Sequence, residues 1–209
     1  MEFPVWVVGL GPGHPDYILP VALRAVEAAD SLVGGSRALE LFAYLDKDSK
    51  IIDSNLPEVI EYIKDRRQHG SIAVVVSGDP GFYSLLNYLS KHFNPEHLRV
   101  VPGISSVQLA FATLKLPWQE AALLSLHGRP LEAITHKFNE YSLLGFLTDP
   151  GVSPAQLADC LEEQGWNQAA VFICENLSYS NEQIKQVSLG QLREINAFNN
   201  SVVVIKRVP

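Results

Sequence analysis

The chain has 209 residues, of which 47% are hydrophobic, so it can bury a substantial core in one domain or in two small ones. Its formal net charge of −7 argues against a protein whose main role is to bind nucleic acid, because neutralising phosphates requires a basic surface. No apolar run approaches the roughly 20 residues of a membrane span, and no basic leader precedes the first strand-like residues. We therefore expect a cytoplasmic protein with a small-molecule ligand and with neither a nucleic-acid nor a membrane partner.

The two cysteines, Cys160 and Cys174, have no CxxC spacing and no neighbouring cluster of metal ligands. Cysteine is among the residues most often found in protein cores. The sequence thus predicts two buried free thiols, and it indicates neither a disulfide framework nor a metal site.

The first half of the chain alternates β-branched runs with helical patterns. Strands are predicted at 5–8, 31–33, 50–52, 72–76 and 98–101, and helices at 18–29, 38–45, 57–69, 82–92 and 106–114. The run 72–76 is apolar throughout, which is typical of a strand covered on both faces. Strands that alternate with helices predict a parallel sheet.

The second half has a looser pattern. Strands are predicted at 121–126, 143–147, 169–174, 183–189 and 201–208, and helices at 131–141, 154–164 and 191–195. The consecutive strands near the end predict antiparallel pairing. We expect two α/β domains, at 1–114 and 115–209.

A glycine-rich segment, GLGPGHP at residues 9–15, follows the first predicted strand. Such a turn lets the main chain approach a ligand closely. The dinucleotide fingerprint GxGxxG would need glycine at His14, and Pro12 has no amide to donate. The next strand also ends in glycine at 34–35 and not in a ribose-binding carboxylate, so the spacing opposes a nicotinamide-dependent oxidoreductase.

Two further loops follow predicted strands, SGDPG at 77–81 and PGISS at 102–106. Asp79 is placed either to accept hydrogen bonds from a ligand or to cap the next helix, and a serine such as Ser105 or Ser106 in this position is ordinarily an N-cap. Loops at the carboxyl ends of parallel strands share one edge of the sheet, where open α/β sheets bind ligands. The three loops together therefore predict a site at that edge.

These three loops, in this order and spacing, resemble the GxGPG, GDP and PG(I/V)(S/T)(S/A) motifs of the tetrapyrrole methylase family. The segments LLGFLT at 143–148 and ENL at 175–177 are similar to two later segments of that family. Within it, residues 33–42 and 124–129 resemble the cobalt-precorrin C-5 methyltransferases.

The resemblance implies an α/β fold of two domains, with a parallel sheet in the N-terminal domain, a mixed sheet in the C-terminal domain and the cofactor in the cleft between them, usually in a homodimer. It implies an S-adenosylmethionine-dependent methyltransferase of cobalamin biosynthesis that acts on C-5 of a cobalt-precorrin-7 or precorrin-6Y-type intermediate. The cofactor contacts carried over by position are Pro12, Ser77, Gly78, Asp79, Phe82, Ser105, Ser106, Thr148 and Leu177.

The implied acceptor is a polycarboxylate tetrapyrrole, so an acidic protein needs a local basic rim to hold it. Arg37 and Arg129 suit carboxylate recognition, although each is equally compatible with a solvated surface arginine. Gly11 and Gly13 of the first loop are further candidates for substrate binding, as is His14. His14 or His127 is a candidate for accepting the proton lost in the reaction, against the alternative of a polar loop residue.

Three other interpretations stay open from the sequence. The first is another family member, such as a uroporphyrinogen methylase, diphthine synthase or an rRNA 2′-O-methylase. The others are the nicotinamide-dependent oxidoreductase and a ligand-binding module without catalysis. Because one methylase of two domains uses the chain to Val208, we expect methylation at C-5 alone, with C-15 methylation and decarboxylation left to a separate partner enzyme.

Overall fold

The computed structural model describes residues 2–128 and 130–208 of the chain, which divides after Ser105 into two compact units. The first unit is built on a five-stranded sheet in which all strands are parallel, in the order β3-β2-β4-β1-β5. Its strands are β1 (Val5–Gly9), β2 (Ser31–Gly34), β3 (Asp48–Ile51), β4 (Ile72–Val76) and β5 (Leu98–Val101). Its helices are α1 (Pro20–Ala28), α2 (Ser36–Glu40), α3 (Leu56–Arg66) and α4 (Leu86–Leu89). The predicted parallel sheet is confirmed.

The core of the first unit lies on both faces of this sheet. β4 is buried along its whole length, and its side chains alternate between the two faces because successive residues of a strand point to opposite sides. Val75 packs in a cluster with Val26 of α1, whereas Val74 packs in another with Ile63 of α3. The apolar run 72–76 therefore has the role that its composition predicted.

The second unit contains a mixed five-stranded sheet in the order β6-β7-β10-β8-β9. Its strands are β6 (Ala122–Ser125), β7 (Leu143–Leu147), β8 (Ala169–Glu175), β9 (Gln183–Val187) and β10 (Ser201–Arg207). Its helices are α5 (Ser106–Thr113), α6 (Pro154–Glu163) and α7 (Leu189–Arg193). β6 and β7 pair in parallel and the other neighbours pair antiparallel, as the consecutive strands near the end of the chain predicted.

Close packing ties α5 to the second sheet. A Cβ added at Gly145 of β7 would lie 2.7 Å from the Phe111 ring of α5, so this ring packs against the strand in the space that glycine leaves. The boundary between the two compact units consequently falls before α5, after Ser105. The sequence placed the boundary after 114, behind this helix, because helical periodicity does not show which sheet a helix covers.

Three predicted helices are shorter in the structure. The segment predicted as helix at 82–92 is helical only in α4, and the φ of +50° at Tyr83 excludes a right-handed helix that begins at 82. The segment 131–141 forms two short 3₁₀ helices, Leu131–Ala133 and Thr135–Asn139. The helix predicted at 38–45 is replaced by α2 and a 3₁₀ turn, with the non-helical Phe42 between them.

Throughout the described residues, no helix combines the length and the apolar character that crossing a membrane requires.

Candidate functional site

The glycine-rich loops lie together at one edge of the first sheet. β4, β1 and β5 are neighbours in the sheet and run parallel, so the segments after them emerge side by side at their carboxyl ends. These segments are residues 10–15, 77–81 and 102–105. The predicted juxtaposition of the three loops is confirmed, and it is the position at which open α/β sheets bind ligands.

The first and second loops are joined through their main chains. Gly11 N donates to Gly78 O at 3.3 Å, and Gly78 N donates to Gly11 O at 2.7 Å, which forms an isolated antiparallel bridge. Both glycines have a positive φ, +82° and +67° respectively, which side chains with a Cβ rarely adopt. The bridge conformation thus favours glycine at both positions, and at Gly11 an added Cβ would also lie 2.8 Å from Tyr17 O.

The second and third loops approach so closely that they exclude any Cβ. A Cβ at Gly9 would lie 2.6 Å from Gly78 O and 2.7 Å from Gly103 N. A Cβ at Gly103 would clash with the same carbonyl oxygen and lie 2.9 Å from the Cα of Gly9. These neighbours are backbone atoms of a packed sheet edge, so they cannot move aside as a flexible side chain would.

Asp79 connects two of the loops through its carboxylate. Its Oδ1 accepts from Gly81 N at 2.8 Å, and its Oδ2 accepts from Gly103 N at 3.0 Å. No helix begins directly behind Asp79, since α4 starts only at Leu86, so the helix-capping interpretation is wrong. Asp79 holds the second loop in its turn and fixes the third loop against it.

The other residues that the sequence assigned to the cofactor in the first unit lie on these loops. Ser77 is exposed, Pro12 and Phe82 are half-buried, and Ser105 is buried. The Phe82 ring packs edge-on against the Tyr83 ring, with centroids 4.9 Å apart. These loops therefore offer main-chain groups, the Ser77 side chain and one aromatic ring as possible ligand contacts.

Arg37 lies in the first turn of α2, directly after β2. Because β2 is parallel to β4 and adjacent to it, this exposed arginine is at the same sheet edge as the glycine loops. Arg129, the second predicted basic residue, lies outside the described residues.

His14 makes a local contact within the first loop. Its Nδ1 accepts from Asp16 N at 3.2 Å and caps the short 3₁₀ helix Pro15–Tyr17. A neutral imidazole that accepts through Nδ1 carries its proton on Nε2. That nitrogen is then a donor, which fits substrate binding better than proton abstraction.

His127 pairs with a carboxylate that the sequence did not single out. β6 and β7 are parallel, and Ser125 is in register with Leu147, so residues two positions beyond each strand meet at the same edge of the second sheet. The Nδ1 of His127 lies 2.5 Å from Asp149 Oδ2, and the other oxygen of Asp149 accepts from Gly151 N at 2.8 Å. The equal offset after two parallel neighbours is the signal that could have identified Asp149.

His127 and Asp149 are arranged as a general base and the carboxylate that orients it. The His127 side chain is 78% exposed, whereas that of Asp149 is 18% exposed. With Nδ1–H donated to the carboxylate, the lone pair of Nε2 is available to accept a proton.

The remaining predicted cofactor residues lie in the second unit and offer mainly main-chain groups. The Thr148 hydroxyl donates to Ser201 O at 2.7 Å, and Leu177 is buried between Asn176 and Ser178, which both have positive φ. Ser106 begins α5.

The thiols do not provide a nucleophile. Burial raises the pKa of Cys174 to about 12 and that of Cys160 to about 11. Among the described residues, no group of three or more histidine, cysteine, aspartate or glutamate side chains is arranged to hold a metal ion.

Two known proteins are similar in sequence to this chain over nearly its full length. The "Probable cobalt-precorrin-7 C(5)-methyltransferase" of Methanocaldococcus jannaschii is 36% identical, with 91% of this chain and 90% of the relative covered. The "Cobalt-precorrin-7 C(5)-methyltransferase" of Salmonella typhimurium is 31% identical, with 96% of this chain and 98% of the relative covered.

Solved structures share the fold. The precorrin-6Y methylase CbiE of Archaeoglobus fulgidus superposes with a TM-score of 0.74 at 24% identity and covers 99% of each chain. The uroporphyrin-III C-methyl transferase of Thermus thermophilus, complexed with S-adenyl homocysteine, reaches a TM-score of 0.82 at 18% identity and covers 97% of each chain. Residues 4–193 match the family of tetrapyrrole (corrin/porphyrin) methylases, and with the glycine loops at the expected sheet edge this chain belongs to that family.

Proposed function

We propose that this chain transfers the methyl group of S-adenosylmethionine to C-5 of a cobalt-precorrin-7-type corrin precursor in cobalamin biosynthesis. The observation that carries the proposal is the similarity to two C(5)-methyltransferases, which extends over at least 90% of this chain and of each relative. The glycine loops of the first unit support a cofactor of this kind, and their spacing opposes a dinucleotide.

The first unit fits S-adenosylmethionine through its main chain. Gly9 and Gly103 leave no room for a Cβ where the loops meet, whereas at Gly78 the nearest atom to an added Cβ is 3.7 Å away. This edge can therefore bring amide and carbonyl groups against a ligand, and a related structure with the same fold holds S-adenyl homocysteine.

The residues that we propose to hold the cofactor lie in both units. Those of the first unit are Pro12, Ser77, Gly78, Asp79, Phe82 and Ser105. Those of the second unit are Ser106, Thr148 and Leu177. Asp79 acts by fixing the loops, since both of its oxygens already accept from main-chain amides.

The chemistry requires alignment more than activation. S-adenosylmethionine supplies an already activated methyl group when it is bound, and alignment of reactants of this sort is worth about 7 to 11 kcal/mol. The new bond joins the methyl carbon to C-5 while the carbon–sulfur bond breaks, and the macrocycle loses a proton. We assign acceptance of that proton to Nε2 of His127, oriented by Asp149.

Substrate recognition in this proposal relies on the peripheral carboxylates of the corrin precursor. Arg37 and Arg129 supply planar guanidinium groups for them. Gly11, Gly13 and His14 of the first loop also contact the substrate in this proposal, and His14 donates through Nε2.

The decisive experiment incubates the purified chain with carbon-13 methyl-labelled S-adenosylmethionine and cobalt-precorrin-7, or with its metal-free counterpart. Carbon-13 NMR and mass spectrometry are expected to place one label at C-5. A label at C-15, loss of carbon dioxide, or methylation only of a different tetrapyrrole would overturn the proposal. Calorimetric titration with S-adenosylhomocysteine and with NAD separates the methylase from the oxidoreductase alternative, since only the former ligand is expected to bind.

We also propose that the chain acts as a homodimer in the cytoplasm, with a separate enzyme for C-15 methylation and decarboxylation. Large apolar side chains exposed in the first unit, such as Tyr44 and Ile51, support association. Light scattering of the purified chain tests the dimer, and a monomer across the micromolar range would contradict it.

A further inference from the structure

A second group of polar side chains lies at the opposite edge of the first sheet from the glycine loops. Glu2 precedes β1, Arg67 precedes β4 and His97 precedes β5. Because these strands are parallel, the segments before them lie together at their amino ends. A pocket of about 270 Å³ is lined there by these three residues together with Lys64 and His92, among others.

Arg67 is the buried member of this group, and its side chain is only 5% exposed. Its Nε donates to Phe3 O at 3.0 Å, while Phe3 N donates back to Arg67 O at 2.8 Å. Its Nη1 lies 3.4 Å from Nδ1 of His97, and the guanidinium stands over the Phe93 ring at 5.6 Å. The guanidinium is thus held in one orientation by contacts on three sides.

The other terminal nitrogen, Nη2, is buried without a hydrogen-bond partner among the described residues. The carboxylate of Glu2 lies 3.2 Å from it, as an ion pair without hydrogen-bond alignment, and the Glu2 side chain is 53% exposed. A buried donor left unmet costs about 1 to 3 kcal/mol, and more for a charged group. Such a group in a native protein calls for a partner, often an ion or a water.

The charges around the pocket favour an anion as that partner. Lys64 and Arg67 are positively charged residues that line it, His92 and His97 add ring nitrogens, and Glu2 is the acidic residue among those that line it. Lys64 is half-exposed and pairs at 2.9 Å with Glu61, so it can turn towards the pocket at small cost. The lining therefore carries a small excess of positive charge in a chain of net charge −7.

We propose that this pocket binds a small oxyanion, a phosphate or carboxylate group, in direct contact with the Arg67 guanidinium. The carboxylate of Glu2 stands in for the ligand and is displaced when the oxyanion enters. A planar guanidinium held in a fixed orientation recognises both groups through paired N–H donors. This binding site lies apart from the glycine loops and does not depend on the proposed methyl transfer.

The test uses Glu2→Gln, which removes the competing charge and leaves the guanidinium in place. Full-length protein is titrated with inorganic phosphate and with tricarballylate at constant ionic strength, and amide NMR shifts are followed at Phe3, Arg67, Phe93 and His97. We expect Glu2→Gln to bind about tenfold more tightly than the unmodified chain, since about 1.4 kcal/mol corresponds to tenfold. Binding of phosphate alone or of tricarballylate alone identifies which oxyanion the pocket prefers, and either result supports the site.

Controls separate the pocket from general charge effects. Glu120→Gln removes the same charge from an exposed position in the second unit and is expected to leave the affinity unchanged. His97→Ala and Lys64→Ala are expected to weaken binding without unfolding the chain, whereas Arg67→Lys is interpreted only if its unfolding midpoint is retained. Absence of shifts at these amides with both anions, or equal affinities in the two glutamate variants, would overturn the proposal.

Discussion

The two units of the chain present their candidate functional groups in different ways. In the first unit the groups are mainly main-chain atoms, because Gly9 and Gly103 let the loops pack against one another without side chains between them. The second unit adds a pair of side chains, His127 and Asp149, which meet because they lie in register beyond two parallel strands. A main-chain site depends on glycine at fixed positions, whereas a side-chain pair depends on strand register.

This difference decides which substitutions each site tolerates. At a main-chain site, a single added methyl group is disruptive, and the chemical nature of exposed side chains matters less. At a side-chain site, replacing the side chain leaves the backbone in place, and the loss appears in the catalytic rate and not in stability.

Gly103→Ala is expected to have the largest effect. Its Cβ would clash with Gly78 O and with the backbone of Gly9, so we expect the free energy of unfolding to fall by about 3 kcal/mol, together with loss of S-adenosylhomocysteine binding. The matched control is Gly35→Ala, where an added Cβ meets nothing within 4 Å. Denaturation and calorimetry measure both quantities, and equal stabilities of the two variants would break the contrast.

His127→Ala is expected to lower kcat about 100-fold with little change in KM or in stability, because removal of a general base affects the chemical step. Asp149→Asn is expected to lower kcat by less, about tenfold, since the imidazole keeps a hydrogen-bond partner at Nδ1 but loses the charge that stabilises its protonated form. His136→Ala, an exposed histidine of the same unit, is the control. Unchanged kcat in His127→Ala would remove the second unit's pair from the mechanism.

Asp79→Ala is expected to weaken S-adenosylhomocysteine binding about tenfold and to lower stability by about 1 to 2 kcal/mol, because the amides of Gly81 and Gly103 lose their acceptor. Asp53→Ala serves as the control, since Asp53 also accepts from an amide two residues on, that of Asn55, but joins no second loop. Affinity that is equally unaffected in both variants would show that the link to the third loop has no role in binding.

The smallest effect concerns the buried thiol of Cys174, whose pKa burial raises to about 12. An unfolded thiol titrates near 8.5, so the folded state binds this proton more tightly. The stability that this provides is complete below that pH and is lost as the pH rises towards the folded value. We expect the free energy of unfolding to decline less steeply above about pH 9 in Cys174→Ala than in the unmodified chain, and parallel pH profiles would contradict it.

Much of the fold follows from local pattern. The strands at 72–76, 98–101 and 143–147 were predicted with the bounds that the structure gives. The first of them is an apolar, valine-rich run that ends before the turn residues Ser77 and Gly78, which is a specific strand signal. The helix predicted at 82–92 was mostly wrong, and its late start follows from the positive φ of Tyr83, which apolar spacing does not reveal. The domain boundary differed because burial of Phe111 against Gly145 is a tertiary contact.

The candidate site was likewise predictable from the sequence only in part. The glycine loops could be recognised because their residue types are fixed by close backbone approach. Asp149 was missed because a lone aspartate before proline has no local signature, and only the pairing of Ser125 with Leu147 brings it to His127. The role of Asp79 was partly anticipated, but its acceptance from Gly103 required knowledge of which strands are neighbours.

The bridge between Gly11 and Gly78, with the carboxylate link from Asp79 to Gly103, has a consequence for how fast and at what entropic cost a ligand binds. Segments outside regular secondary structure usually exchange their amide hydrogens quickly, but these amides are already engaged before a ligand arrives. Loops ordered in advance lose little conformational freedom on association, so affinity is not reduced by an ordering step. Association at this edge should then proceed at the rate of diffusive docking, without a slow phase for loop folding.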